Sequence, residues 1–255
     1  MDENSKDPSI REYLEEAKNE VTEFGGWQSF KSGEWLLRLI QKSFKNYYER
    51  ANAEYFWTKY ATKNEDFIAE KLISVAAKNS SILGAIVGAA VSTDEIIGLI
   101  TGGEGGIGIP ANVAIAFTAV AGEAIALVKF QLQLVANLSR VFNVPLDPDD
   151  PEDILTILAF AIGGSLSEAA GKAGMKIGGN FTEKMIKQYI KKEVLKAIQD
   201  LGKKIGVKIL QRTIIKYAVP LVSIGIGSSW NYASTKAVGK IARRHLLTRK
   251  AEQHL

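Results

Sequence analysis

The chain has 255 residues, 46% of them hydrophobic and 24% charged, with 23 glycines, 6 prolines and no cysteine. So much apolar surface excludes a disordered or low-complexity class, and the absence of thiols excludes disulfides, thiolate metal sites and cysteine nucleophiles. The two histidines, His245 and His254, fall in the last eleven residues, so a multi-histidine metal site is excluded and histidine acid–base chemistry is confined to the C-terminal end.

The net charge of +4 conceals a split. Residues 172–255 hold 18 Lys+Arg against 4 Asp+Glu, a net +14, while residues 1–171 carry −10. Such asymmetry points to an anionic partner for the basic half, or to two halves that face each other within one fold. A membrane surface suits it better than nucleic acid, because lysine outnumbers arginine and few aromatics are interleaved with the basic residues.

In chain order, residues 1–7 are acidic and polar and carry no signal-peptide pattern, so a cytoplasmic chain is expected. Asp7-Pro8 reads as the cap and first position of a helix to about Val21. Gly25-Gly26 ends it. A second helix from near Ser32 carries the stripe Leu36, Leu37, Ile40, Phe44, Tyr47, Tyr48. Seven aromatics lie between Phe44 and Tyr60, and they read either as core or as an interfacial aromatic belt. Asn64 caps a further helix through Ile68, Leu72, Ile73 and Ala76, with Glu65 and Asp66 in its first turn.

From Asn79 to Thr93 there is no charge, and Gly84 and Gly88 stand four apart, a spacing that lets helices approach closely. Gly105 to Gly122 is also uncharged, and a long helix is expected past Pro110 to Phe142. Asn143 to Asp153 is a proline-rich acidic turn, and Asp150-Pro151-Glu152-Asp153 opens a helix to about Glu168. A basic amphipathic helix follows from near Thr182, with Lys184, Lys187, Lys191, Lys192 and Lys196 largely off its apolar stripe. Tyr217 to Thr235 is uncharged but diluted by polar residues, and Arg243, Arg244, Arg249 and Lys250 form a basic tail. The uncharged runs are 15, 18, 14 and 19 residues, short or Gly/Ser-rich for bilayer spans, which need about 20 mostly apolar residues. Strand signals are weak. The expected fold is all-α, a single bundle of about eight helices with Gly/Ala-rich central hairpins. Its expected parts are an acidic, aromatic-rich helical arm over 1–63, a main helical domain over 64–247, and a basic tail over 248–255.

Chemical motifs fail on context. Gly103 to Gly108 matches a dinucleotide fingerprint, but no βαβ pattern surrounds it and Glu104 would repel phosphate. No Gly-Lys-Ser/Thr of a phosphate loop is present. Asp147 to Asp153 lacks the glycine and glutamate that a calcium loop needs at its sixth and twelfth positions, and capping explains these acids. No metal or cofactor is expected. Glu123 and Glu168 stand inside apolar segments, where a carboxylate takes either a functional role or a partner on a neighbouring helix; Asn231 joins them as a buried polar candidate. A hydrolase built on these three residues is the enzymatic alternative.

Two blocks resemble the bacterial EcsC family. The first comprises Gly105-Gly106-Ile107-Gly108-Ile109-Pro110-Ala111-Asn112, then Gln131-Leu132-Gln133-Leu134-Val135, then Asn143-Val144-Pro145-Leu146-Asp147-Pro148-Asp149-Asp150-Pro151. The second, more specific, comprises Val219-Pro220-Leu221-Val222-Ser223-Ile224-Gly225-Ile226-Gly227, Asn231-Tyr232-Ala233-Ser234-Thr235-Lys236-Ala237-Val238-Gly239 and Ala242-Arg243-Arg244. The chain departs from the pattern at Ser223, where a glycine is usual, and at Pro145. The resemblance spans roughly residues 64–247 and implies no catalytic set.

The sequence therefore leads to a non-enzymatic, peripheral protein of the cytoplasmic membrane face. Anionic lipid would be met by Lys184, Lys187, Lys191, Lys192, Lys203, Lys204, Arg243 and Arg244. The alternatives are a membrane-inserting effector of a toxin or defence system and a soluble scaffold that binds a protein partner or a second copy of itself.

Overall fold

A computed structural model describes residues 9–90, 111–147, 199–200, 202–203 and 223–253. Among these residues the chain is helical and has no strand, so the fold is all-α. The helices are α1 (Ile10–Glu23), α2 (Gly26–Ser32), α3 (Glu34–Arg50), α4 (Ala53–Lys59), α5 (Glu65–Ala90), α6 (Ala111–Phe142) and α7 (Ser223–Glu252).

Local chemistry sets their ends. The cap of α1 is Ser9 and not Asp7: Ser9 Oγ accepts from Glu12 N at 3.3 Å, and Glu12 Oε2 accepts from Ser9 N at 2.7 Å. This reciprocal box satisfies two exposed donors at once, which a lone Asp-Pro cap does not. The stretch after Gly25 holds the short helix α2, where no helix was expected before Ser32. The break before α3 is Gly33, with φ +82°; a side chain there would also collide with the carbonyl of Gln199, so backbone conformation and close approach both require glycine. Asn52 and Asn64 cap α4 and α5 through Oδ1, which accept from Tyr55 N at 3.1 Å and Phe67 N at 2.9 Å. Helix α6 ends in Asn143 at φ +54°, and Val144 N donates back to Ser139 O at 3.0 Å, the six-to-one closure of a left-handed C-terminus.

Helix α6 is the axis of the molecule. From Ala119 to Lys129 every residue is buried, so α6 has no solvent face over three turns. On one side lie α1 and α3, which contribute Leu14, Ala17, Val21, Trp35, Leu36, Leu39, Ile40 and Phe44 to the core. On the other lie α5 and α7, with Ile73, Leu83, Val87, Val238, Ala242 and Leu246. All of these belong to one apolar cluster, which runs across the expected boundary at residue 63. The basic residues expected in a tail are carried by α7, which stays helical to Glu252.

Helices α5 and α7 run antiparallel. Ser81 meets Ser228, Ser80 meets Thr235, and Asp66 meets Arg243. Their close approach depends on Gly239: a Cβ there would lie 2.5 Å from Ile73 Cγ1 and 3.1 Å from Leu134 Cδ2. Gly239→Leu is therefore expected to overpack the α5–α6–α7 junction and cost about 3 kcal/mol. Urea unfolding followed by circular dichroism checks this, and a loss under about 0.5 kcal/mol would contradict the packing described.

Candidate functional site

Two polar assemblies are built around α6. The first lies between α5, α6 and α7. Asn231 Nδ2 donates to Glu123 Oε1 at 2.9 Å, and both side chains are fully buried. Two turns along α6, Gln131 Nε2 donates to Thr235 Oγ1 at 3.5 Å. Thr235 Oγ1 donates to Ser80 Oγ at 2.9 Å, and Ser80 Oγ donates to Ala76 O at 2.9 Å. Donors and acceptors thus pass from α6 through α7 to the backbone of α5. The residues share these faces because Asn231 and Thr235 are four apart on α7 while Glu123 and Gln131 are eight apart on α6.

The second assembly docks α1 on α6. Lys129 is 3% exposed, and its Nζ lies 2.9 Å from Glu16 Oε1 and 3.0 Å from Glu20 Oε2. It also sits 5.1 Å from the centre of the Tyr13 ring, which stacks on Phe130 at 4.5 Å. Tyr13 and Tyr47 share a hydrogen bond of 3.0 Å between their hydroxyls. Lys42 extends the network through Glu20 at 3.4 Å and Glu23 at 2.6 Å. Burial draws the Lys129 ammonium downward, but Tyr47, Glu16 and Glu20 more than offset it, so its pKa stands above the ordinary lysine value. Burial pushes the phenols of Tyr13 and Tyr47 up as well.

No group of three metal-ligating side chains occurs among the described residues. Both assemblies bind helices to helices.

Of the expected lipid contacts, Lys184, Lys187, Lys191, Lys192 and Lys204 lie outside the described residues, as do Glu168 and the glycine motif at 103–108. Lys203 is half-exposed and lies 3.6 Å from Asp200. Arg243 turns toward α5, with Nη2 at 2.8 Å from Asp66 and Nη1 at 3.4 Å from Glu70. Arg244 is exposed. The structure joins Glu123 to Asn231, two residues 108 apart in sequence. Sequence reasoning missed the Lys129 network. Its signal was present, because Lys129 is the one charge between Glu123 and Arg140, and a lysine in so apolar a helix needs a carboxylate nearby. The seven aromatics divide: Phe44 is buried and Tyr47 and Tyr48 half-buried, whereas Tyr55 and Trp57 on α4 are exposed.

Comparison with protein-family profiles, with curated proteins and with solved structures finds no match. The chemistry of the surface therefore carries the functional reading.

Two outcomes follow for the buried groups. Lys129→Met leaves the nearly buried Glu20 only its longer contact to Lys42 at 3.4 Å and is expected to cost about 3 kcal/mol, while Lys42→Met, at a more exposed pair, costs under about 1 kcal/mol; urea midpoints at neutral pH check the ratio. Because Lys129, Tyr13 and Tyr47 all hold protons more tightly in the folded chain, the unfolded chain releases them first, from about pH 10. Stability is thus expected to be level from about pH 7 to 9 and to fall above about pH 10, with a shallower fall in Tyr13→Phe. Midpoints that rise in this alkaline range would contradict the network.

Proposed function

We propose that the chain is an EcsC-like helical protein, a single bundle of about eight helices with Gly/Ala-rich central hairpins. In this reading it docks peripherally on the anionic inner face of the cell membrane through its basic C-terminal half, without a catalytic step. The observation that carries the reading is the charge on α7. From Ser223 to Ala251 this helix has six basic residues and no acid. Arg243 and Lys250 are taken up by carboxylates of α5, Lys250 Nζ lying 2.6 Å from Glu65 Oε2. Lys240 and Arg244 face solvent and form no ion pair among the described residues. Four residues apart, they share one side of the helix. The ion pairs to α5 hold that helix in place, and a basic residue near an anionic leaflet contributes about 1 kcal/mol.

A second reading, insertion after a trigger, is favoured by α6, whose segment Phe117–Phe142 is long and apolar enough to cross a membrane. That segment is mostly buried inside the protein, as in the core helix of a soluble bundle. Insertion would require withdrawing Glu123, Lys129 and Gln131 from their partners on α1, α5 and α7, at high cost.

Co-flotation with vesicles decides between the readings. Under peripheral docking, the protein floats with phosphatidylserine-containing vesicles, not with neutral ones, and high salt releases it. Lys240→Glu/Arg244→Glu is expected to lower the partition coefficient by at least about tenfold. Salt-resistant flotation with dye leakage supports insertion. Absence of flotation with either vesicle overturns both and moves the weight to a soluble partner-binding scaffold.

A further inference from the structure

The described surface also carries an unpartnered ribbon along α4 and the outer side of α5. The buried positions of α5, among them Ala69, Ile73, Ala77, Ser80, Leu83 and Val87, face α6 and α7. On the opposite side stand Lys71, Val75, Lys78 and Ile82, at spacings of four, three and four that place them in one line. Val75 is 54% exposed and Ile82 48% exposed, large for aliphatic side chains on a helix with a ready core face.

The line continues without a gap into α4. Lys71 and Lys63 both lie over the Phe67 ring, at 5.4 and 5.3 Å. Phe67 meets Tyr60 edge-on at 5.9 Å. Lys59 sits over Tyr60 and Tyr55, and its Nζ donates to Tyr55 Oη at 3.0 Å. Tyr55 is 52% exposed and Trp57 38% exposed, and α4 buries no residue. From Phe67 to Ile82 alone the ribbon runs about 22 Å along the helix.

Its charge is predominantly basic. Glu54 on α4 is an exposed acid, while the acids of the first turns of α5, Glu65, Asp66 and Glu70, are engaged by Lys250 and Arg243. From Lys71 to Ala90 there is no acid. Lys63, Lys71 and Lys78 have no ion pair among the described residues. Aromatic rings beside lysines, with aliphatic side chains between them, fit the headgroup layer of an anionic bilayer: rings and aliphatic tips enter the interface and ammonium groups meet phosphate and carboxylate.

We propose that the α4–α5 ribbon is a membrane-docking edge that lays Tyr55, Val75 and Ile82 into the headgroup layer of an anionic bilayer while Lys59, Lys63, Lys71 and Lys78 contact its lipids. The proposal rests on the membrane-docking reading above and adds an edge that the basic C-terminal half does not contain.

The test uses the full chain with phosphatidylcholine vesicles, with and without phosphatidylserine, and with brominated phosphatidylcholine as a depth-sensitive quencher. Ile82→Trp adds an indole on the ribbon, read against the unaltered protein with its four tryptophans. Expected results are quenching in Ile82→Trp beyond that of the unaltered protein, and a fall of more than about tenfold in partition for Lys71→Glu/Lys78→Glu. Lys78→Glu alone should fall well below Lys45→Glu, an equal charge change at an exposed position on α3. Val75→Ser/Ile82→Ser should lower the partition into anionic vesicles at low salt by more than about threefold, with net charge unchanged. These side chains are exposed, so unchanged circular dichroism and melting are expected in each variant. If the protein floats with anionic vesicles, but Ile82→Trp gains no quenching and Lys78→Glu behaves as Lys45→Glu, the edge is wrong and docking through α7 stands. If the unaltered protein binds no anionic vesicle, the membrane reading fails and the edge fails with it.

Discussion

A helix buried on all sides from Ala119 to Lys129 that nonetheless carries Glu123, Lys129 and, just beyond, the buried Gln131 constrains what packs around it. Each of these groups would cost several kcal/mol if left without a partner in an apolar interior. Each must therefore meet a polar atom on a specific neighbour, at one rotation and one height. Asn231 and Thr235 fix the height of α7, Ser80 that of α5, and Glu16 and Glu20 that of α1. Apolar packing alone tolerates a helix sliding by a turn; a buried hydrogen bond does not. The small residues around them, such as Gly239, then let the backbones close to the distance the short polar side chains need.

The same arrangement sorts the charge. Part of the opposition between the acidic front and the basic rear of the chain is spent inside the fold, where Arg243 and Lys250 clamp the first turns of α5. These pairs are half-exposed and individually weak. Their effect is geometric, because they occupy the acids of α5 and leave the lysines beyond them without counter-charges. Basic surface on α5 and α7 thus follows from internal pairing, and a surface of that sign with aromatic and aliphatic tips is what an anionic interface selects.

Much of the fold was legible in the residues. The all-α class, the break at Gly25-Gly26, the asparagine cap of α5 and the long, mostly apolar helix ending at Phe142 all follow from local rules of capping and periodicity. The cap of α1 was displaced by two residues because a reciprocal Ser9–Glu12 box outcompetes an Asp-Pro start. The aromatic run gave an ambiguous signal for a physical reason: it spans two helices with opposite fates. Phe44 points into the core, while α4 lies on the outside and exposes Tyr55 and Trp57. Glu123 and Asn231 stood out singly as polar residues in apolar settings, but nothing in the chain indicated that they were each other's partners.

Helical class, helix ends and the uneven charge are written in short stretches of sequence, because capping boxes, hydrogen-bonded turns and apolar spacing act over a few residues. Pairings between residues 100 or more apart belong to the tertiary structure: Lys129 with Glu16 and Glu20, Glu123 with Asn231, Arg243 with Asp66. So does the outward line of Lys71, Val75, Lys78 and Ile82, since a helix with apolar residues on two sides can bury either until its neighbours choose. Only the close approach of α5 to α6 and α7, through Ser80, Ile73 and Gly239, decides which side faces solvent.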